Sequence, residues 1–342
     1  MEQYPPEWGI LEEGQPVTAE AEPQPPREPS QEEPRPSRQA PSPRARQRQI
    51  ERRRRSDKLN FLAVGISVLA LFLAAAALFF ALKPEPEPEP EPPAPPEAEE
   101  PVTFRFGDRV LTPLEGMPLN PYDRDGFSVD EKGRLTYEKD GKRAKTGVDV
   151  STYQKEIDWQ AVAADGIDFA ILRLGYRGYT EGGLFLDQTF ESNLRGALDA
   201  GLEVGVYFFS QAVTPEEAEA EAAYIINVIE GYEITYPVAF DWEPIAPGNN
   251  ARTDGLDNDV LTQCAAAFCE KIRGAGYTPA IYFNQSLGYL RYDLRELTEY
   301  NLWLAEYDVK PDFYYHFDLW QYTHTGKVAG IEGEVDLDLD LR

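Results

Sequence analysis

The sequence has few of the residues that form disulfide frameworks or metal centres. It contains two cysteines and two histidines among 342 residues, and no C-x-x-C pattern. Cys264 and Cys269 lie five residues apart on one predicted helix, where their side chains diverge, so both are interpreted as buried apolar residues. His316 and His324 are too few for a histidine zinc site or a Ser-His-Asp triad. Redox, zinc and serine-hydrolase chemistry are therefore disfavoured.

Basic residues are scarce beyond the first 58 positions. Residues 1–58 contain 11 basic and 11 acidic residues, whereas the remainder contains 22 basic and 49 acidic residues, so the net charge of −27 lies entirely beyond residue 58. An acidic surface of this size argues against a nucleic-acid partner, because phosphate binding requires a basic footprint. It also disfavours adhesion of this part to anionic polymers or lipid headgroups. A neutral or cationic ligand fits better.

One segment lacks charge altogether. Phe61 to Leu82 is 22 residues long, which at about 1.5 Å per residue spans roughly the hydrocarbon core of a bilayer. A basic run at 44–58 precedes it, and the positive-inside rule then places residues 1–58 in the cytoplasm. We therefore expect a single-pass cell-membrane protein that crosses the lipid bilayer through residues 59–82, with its C-terminal domain outside the cell.

The rest of the chain divides by composition. Residues 1–58 are rich in Pro, Glu, Gln and Ser and are expected to be disordered. Residues 83–101 form an extended Pro/Glu linker, and residues 102–145 a small β accessory segment with a hairpin turn at Asp130–Gly133. The C-terminal domain occupies residues 146–342. No pattern indicates an oligomeric state.

Short apolar runs alternate with helical patterns in the C-terminal domain. The predicted strands are Gly147–Val150, Phe169–Leu174, Val204–Phe209, Val238–Asp241, Pro279–Phe283, Leu302–Ala305, Leu319–Tyr322 and Val335–Leu337. The predicted helices are Trp159–Ala164, Phe190–Ala200, Pro215–Ile229 and Asp259–Gly274. Such alternation predicts a parallel sheet of the α/β class, and eight strands suggest an irregular (β/α)-type, TIM-like barrel. The last three strands have short connections, so helices are expected to be missing there.

Acidic residues lie at the predicted strand ends, where such barrels carry their active sites. Asp241 and Glu243 end the fourth strand and share one face because they are two residues apart, while Trp242 points into the barrel wall. Two adjacent carboxyl groups cannot both ionise freely, so at least one pKa should rise. Asp149 on the first strand and Asp336 on the last would face Glu243 across the mouth. Opposed carboxyl groups of this kind perform glycoside hydrolysis.

Aromatic side chains at the same strand ends suit stacking on sugar rings. They are Tyr153, Tyr176, Tyr207, Trp242, Tyr282, Trp303 and Trp320. The residues predicted to bind substrate are Tyr176, Tyr207, Tyr282 and Trp303, together with Gln321. Core packing is the alternative role for each aromatic residue. Arg173 lies inside a predicted strand and is expected to pair with one of the acids, because an unpaired buried charge is costly.

Five segments of the C-terminal domain form a family pattern. They are TGVDVSTYQKEIDW at 146–159, FAILRLGY at 169–176, AGLEVGVYFFSQA at 200–212, PVAFDWE at 237–243 and LWQYTHTGKVAGIEGEVDLDLD at 319–340. In this order they resemble the glycoside hydrolase family 25 muramidases, lysozymes of the Chalaropsis and phage-endolysin type. The resemblance implies an irregular (β/α) barrel that cuts the β-1,4 bond between N-acetylmuramic acid and N-acetylglucosamine in peptidoglycan glycan strands, with no metal or cofactor.

The resemblance also implies roles for the four acids. Glu243 would be the general acid, Asp149 and Asp241 the flanking carboxylates, and Asp336 the fourth acid of the site. Which aspartate assists on the other face of the sugar is left open, and so is whether it acts as a covalent nucleophile or supports assistance by the N-acetyl group of the substrate. The chain departs from the pattern at Asp338, where many relatives have asparagine, and at Lys155-Glu156, where a glycine often stands. No core acid is lost, so activity in cell-wall remodelling is expected.

Three alternatives remain open at this point. The domain could be a catalytically inactive, membrane-anchored module of the same fold that binds glycan or attaches to the wall. It could be another glycosidase such as a chitinase, although the D-x-x-D-x-D-x-E signature of chitinases is absent around Asp241. It could also be a structural wall protein for which the barrel is only a platform.

Overall fold

The structure is a computed structural model that describes residues 70, 71, 73, 74, 78, 102–307 and 310–342. The tail at 1–58 and the linker at 83–101 lie outside the described residues, as does the membrane segment at 59–82 apart from five isolated positions. Among the residues that are described, no helix has the length and apolarity needed to cross a bilayer.

Residues 102–145 form two small antiparallel sheets. Their strands are β1 (Phe104–Phe106), β2 (Arg109–Leu111), β3 (Phe127–Val129), β4 (Leu135–Lys139) and β5 (Lys142–Arg143). The strand β1 pairs with β2, and β3, β4 and β5 form a meander. The turn predicted at Asp130–Gly133 is closed by a hydrogen bond from the Gly133 N–H to the Asp130 carbonyl at 3.0 Å. Phe127 packs edge-on against Trp320 with ring centroids 5.3 Å apart, which joins this segment to the following domain.

Eight further strands close into a barrel. They are β6 (Lys145–Val150), β7 (Phe169–Arg177), β9 (Glu203–Ser210), β10 (Val238–Trp242), β11 (Pro279–Asn284), β12 (Asn301–Ala305), β13 (Leu319–Gly326) and β14 (Val335–Asp340). A short strand, β8 (Leu184–Leu186), pairs with the end of β7. The barrel strands neighbour one another in chain order, and β14 returns to pair with β6. All eight predicted strands are therefore present, and the first and last are neighbours as expected.

The direction of the last strand departs from the TIM-like expectation. The strands β6 to β13 of the barrel run parallel, but β14 is antiparallel to both of its neighbours. Residues 327–334 connect β13 to β14, and a connection this short turns the chain back, whereas a parallel crossover needs a dozen or more residues. The prediction of a wholly parallel sheet is thus wrong for this strand.

Helices follow the first five barrel strands. They are α1 (Trp159–Ala164), α2 (Phe190–Asp199), α3 (Pro215–Ile229), α4 (Asn258–Gly274) and α5 (Gln285–Leu290). In the described parts of the connections after β12 and β13 there is no helix, in agreement with their shortness. The α3 N-terminus follows the predicted pattern, because the Thr214 hydroxyl accepts a hydrogen bond from the Glu217 N–H and Pro215 begins the helix. Cys264 and Cys269 are buried free thiols in α4.

Side-chain alternation along β10 separates two apolar layers. Val238, Phe240 and Trp242 pack in the layer between the barrel and the helices, whereas Ala239 packs inside the barrel. Trp242 is buried, and the Arg291 guanidinium lies 5.1 Å from its ring centroid, so it points away from the mouth as predicted. By the same alternation Asp241 faces the barrel interior.

Candidate active site

The carboxyl groups predicted at the strand ends meet at one end of the barrel. Asp149 on β6 lies directly opposite Asp336 on β14 in the strand register. Asp336 lies near the beginning of β14 and still reaches the mouth, because this strand runs antiparallel to the others. Asp241 lies on the far wall, on β10, with Glu243 just beyond it. Burial, followed by the charges of Asp149 and Glu243, raises the pKa of Asp336 well above its usual range, so the two walls lie within electrostatic range of each other.

The β10 wall presents carboxyl oxygens that have no hydrogen-bond partner. The Asp241 Oδ1 and the Glu243 Oε1 are buried, and no residue described by the structure donates a hydrogen bond to them. Burial raises the pKa of Glu243 to about 7. Burial, followed by the negative charge of Glu243, raises the pKa of Asp241 well above its usual range. Burial, more than the charge of a neighbour, therefore allows Glu243 to hold a proton near neutral pH.

Glu243 is held through its main chain. The buried Gln211 donates from Nε2 to the Glu243 carbonyl oxygen at 2.9 Å and to the Ser210 carbonyl oxygen at 2.9 Å. The Gln211 Oε1 accepts a hydrogen bond from the Thr253 hydroxyl at 2.8 Å. The backbone at Glu243 is thus tied to β9 and to the following loop, while its carboxyl group stays free to meet a ligand.

The opposite wall holds its carboxyl groups in a hydrogen-bond network. Gln321 on β13 donates from Nε2 to the Asp149 Oδ2 at 2.7 Å. Its Oε1 accepts from the Tyr282 and Tyr307 hydroxyls, each at 2.9 Å. With both hydroxyls donating to Oε1, the amide nitrogen faces Asp149 and donates to it. Asp149 is therefore held by its side chain.

A fifth carboxyl group, that of Asp338, lies deeper in the same wall. Asp338 is fully buried and pairs in register with Gln321 on one side and Gly147 on the other. Its Oδ1 accepts a hydrogen bond from the Trp303 indole at 2.9 Å. Burial raises the pKa of Asp338 to about 8, and burial together with the charge of Asp338 raises the pKa of Asp149 well above its usual range. In the sequence, Asp338 differs from the family pattern, and its spacing of two from Asp336 already places both side chains on one face.

Arg173 pairs with an acid outside the predicted set. Its Nε donates to the Asp187 Oδ2 at 2.8 Å, so the expectation that it pairs with one of the strand-end acids is wrong. The short strand β8 explains the difference. It pairs with the end of β7 and places Asp187 beside that strand, where the Asp187 N–H donates to the Leu174 carbonyl oxygen at 2.9 Å. The charge of Arg173 still acts on the site, where it opposes the rise in the pKa of Asp241.

The aromatic residues of the mouth differ in their exposure to solvent. Four predicted substrate-binding residues are largely buried: Tyr176, Tyr207, Tyr282 and Trp303. Two rings are exposed, Tyr153 at 41 % and Tyr307 at 44 %, and these are the ones that a sugar ring can reach from solvent. Tyr307 was not among the predicted residues. Trp303 and Ala305 face the barrel interior on β12, and Tyr307, two residues further on, continues this alternation and donates to Gln321.

The comparison with known families agrees with this geometry. The family model described as glycosyl hydrolases family 25 matches residues 148–331, which is more than half of the chain. Within the part of the chain that the structure describes, no group of three or more His, Cys, Asp or Glu side chains is arranged to hold a metal ion.

Individual relatives are similar over the same region. The autolytic lysozyme of Clostridium acetobutylicum is 29 % identical over 198 residues, covering 56 % of this chain and 54 % of the relative. Lysozyme M1 of Streptomyces globisporus is 27 % identical over 203 residues, covering 56 % and 65 %. The modular autolysin LytC from Streptococcus pneumoniae, solved in complex with a synthetic peptidoglycan ligand, matches with a TM-score of 0.51 and 26 % identity over 63 % of this chain and 56 % of that one. The chain thus spans less than two thirds of each of these proteins.

Proposed function

The chain belongs to glycosyl hydrolases family 25, and we propose that it is a peptidoglycan muramidase. It would hydrolyse the β-1,4 bond between N-acetylmuramic acid and N-acetylglucosamine. One observation carries the proposal: Asp241 and Glu243 offer buried, unpartnered carboxyl oxygens on one wall of the mouth, and Asp149 and Asp336 lie on the other. Glycosidases place two carboxyl groups on either side of the bond they cut. Two similar proteins are named lysozymes, and a third is an autolysin with a peptidoglycan ligand.

The two walls would divide the reaction. Glu243 donates its proton to the glycosidic oxygen as that bond breaks, a step favoured by a carboxyl whose pKa of about 7 keeps it protonated near neutral pH. A carboxylate of the opposite wall stabilises the positive charge that develops at the anomeric carbon, either by direct attack or by supporting the N-acetyl group of the substrate. Water then completes hydrolysis, and Glu243 receives a proton back.

We place this activity outside the cell membrane, at the wall. Residues 59–82 would cross the bilayer, with residues 1–58 in the cytoplasm and the barrel on the other side. Support comes from the 22-residue uncharged run and the basic residues that precede it. This arrangement would restrict cleavage to wall close to the cell that makes the protein, which suits remodelling.

Digestion of purified peptidoglycan tests the activity. Full-length protein in mild detergent is incubated with the glycan, and new reducing ends are reduced with borohydride and identified. Muramitol ends support a muramidase, whereas glucosaminitol ends would show that the other glycosidic bond is cut. Binding to the glycan without new ends would make the barrel an inactive glycan-binding module. Glu243→Gln protein serves as the matched blank.

Protease treatment of intact protoplasts tests the location. Externally added protease should remove the barrel and leave a membrane-bound fragment that carries the N-terminal tail. If the barrel resists protease until the membrane is broken, the proposed orientation is wrong. If the whole chain leaves the membrane in salt washes, the anchor is wrong.

A further inference from the structure

Asp338 is a buried carboxyl group for which the acid–base scheme has no task. We propose that Asp338 positions Asp149: one proton shared between the two carboxyl groups holds Asp149 in a single orientation and limits the pair to one negative charge. The inference rests on the proposed function, since it concerns a wall of that site. Nothing in the two-carboxyl scheme requires a residue at this position, because Asp338 lies beneath Asp149 and is closed off from solvent.

The hydrogen bonds around Asp338 leave one oxygen without a donor. The Asp338 Oδ1 accepts from the Trp303 indole at 2.9 Å, but the buried Oδ2 has no donor among the residues that the structure describes. A buried carboxylate oxygen without a hydrogen bond is costly. The Asp149 carboxyl group lies two register positions away on the adjacent strand, within hydrogen-bonding reach of Asp338. It can supply the missing bond, but only if one of the two groups carries a proton.

The rest of the network has no freedom to supply that bond. The Trp303 indole can only donate, and it already donates to Asp338. The Gln321 amide is oriented by the Tyr282 and Tyr307 hydroxyls, so its one free end donates to Asp149. Trp303 and Gln321 thus have no donor left for the Asp338 Oδ2. A proton shared with Asp149 supplies the missing bond.

The charge balance of the mouth leads to the same requirement. Five carboxyl groups lie there, those of Asp149, Asp241, Glu243, Asp336 and Asp338. The barrel lining beside them carries the cation Arg173, which already forms an ion pair with Asp187 at 2.7 Å. Five ionised carboxylates would repel one another strongly, because Asp149, Asp241 and Asp338 are buried away from solvent. Holding a proton between Asp149 and Asp338 removes one of these charges without removing either side chain.

Paired substitutions test the positioning role in the full-length protein. Asparagine keeps the shape of a protonated aspartic acid, since its oxygen can accept from Trp303 and its amide can donate to Asp149. Asp338→Asn should therefore lower kcat by no more than about threefold, whereas Asp338→Ala should lower it by about 30-fold or more through misplacement of Asp149.

Asp149→Asn should lower kcat by about 100-fold, because it removes the group that faces the substrate. Asp340→Asn, on the same strand but outside the mouth, is the control and should have no effect on kcat.

The indole of Trp303 reports the shared proton directly. With ¹⁵N-indole tryptophan, the five tryptophans of the chain give five indole signals, and Trp303→Phe identifies the relevant one. In the wild-type protein this signal should move with an inflection between pH 6 and 9, as the pair loses its proton. In Asp338→Asn protein that inflection should be absent.

The outcomes separate the inference from the proposed function. Asp338→Asn protein as inactive as Asp338→Ala would overturn the inference, because the ionised group would then be required. A Trp303 signal that is flat between pH 6 and 9, or one that keeps its inflection in Asp338→Asn protein, would also overturn it. Absence of cleavage by wild-type protein would instead refute the muramidase proposal, and the indole titration would still decide whether the proton is shared.

Discussion

The two walls of the mouth hold their carboxyl groups in opposite ways. Each wall contains one buried glutamine. On the β10 wall, Gln211 binds the main chain of Glu243, and the buried Glu243 Oε1 has no hydrogen-bond partner among the residues that the structure describes. On the β6 and β14 wall, Gln321 binds the Asp149 carboxyl group itself, and two tyrosine hydroxyls hold the glutamine.

The difference matches two chemical tasks. A group that transfers a proton must reach a new partner during the reaction, so hydrogen bonds within the protein would compete with the substrate. A group that stabilises developing charge acts best when it is already oriented, because no reorganisation is then needed. The network around Asp149 provides this orientation. The free oxygens of Asp241 and Glu243 provide the opening for the substrate.

Removing the free acid should have the largest effect. Glu243→Gln keeps the shape of the side chain but has no proton to transfer, so kcat for peptidoglycan cleavage should fall by about 10³-fold. The matched control is Glu221→Gln. Glu221 is also a buried carboxyl with a pKa raised to about 7, but it pairs with Arg177 in the helix layer, so its replacement should leave kcat intact. Equal losses in both variants would show that folding, not proton donation, was affected.

Breaking the oriented wall should have a smaller effect. Gln321→Leu removes the donor to Asp149 and leaves the Tyr282 and Tyr307 hydroxyls without their acceptor. The carboxyl group keeps its chemistry but loses its fixed direction, so kcat should fall by about 30-fold, in the range found for misplaced reacting groups. Gln211→Leu on the other wall breaks a hydrogen bond to the Glu243 main chain but none to a carboxyl group, so kcat should fall by less than about fivefold. If the two glutamine variants lose activity equally, the contrast between the walls is wrong.

Only part of the contrast between the two walls could be predicted from the sequence. Strand alternation correctly separated Asp241 from Trp242, and the eight apolar runs placed the acids at one end of the barrel, because both signals are local. The Trp303–Asp338 bond joins side chains 35 residues apart, and the partner of Arg173 comes from a three-residue strand with a weak pattern. Contacts of this kind depend on packing across strands. The antiparallel direction of the last strand could have been predicted from the sequence, because the β13–β14 connection is too short for a parallel crossover.

The pH dependence of cleavage should follow the free acid. Glu243 must be protonated to act, and its pKa is raised to about 7, so activity is retained below this pH and lost above it. Once pH exceeds this pKa, kcat/KM should fall by about tenfold for each unit, as expected for loss of one proton. The measurement is a pH profile of cleavage of a soluble glycan fragment.

Thermal unfolding at each pH provides the control for that profile. The folded protein keeps protons on Glu243 and Asp338 that the unfolded chain has lost above pH of about 4. Their contribution to the free energy of unfolding is therefore largest below pH of about 4 and declines as pH rises from there through the folded-state pKa values of about 7 and 8. Tm should fall smoothly over this range and level off above it. A loss of activity that coincides with complete unfolding would not report on Glu243.

The smallest effect should come from the rim of the oriented wall. Tyr307→Phe removes one of the two hydroxyls that donate to the Gln321 Oε1, while Tyr282 retains the other, so kcat should fall by only about threefold. Tyr307→Ala also removes an exposed ring that can stack on a sugar, so KM should rise while kcat stays close to that of the phenylalanine variant. Steady-state kinetics on glycan fragments of defined length separates the two effects. If Tyr307→Phe loses as much activity as Gln321→Leu, the orientation of Gln321 depends on this one hydroxyl, and Tyr307 belongs to the oriented wall rather than to its rim.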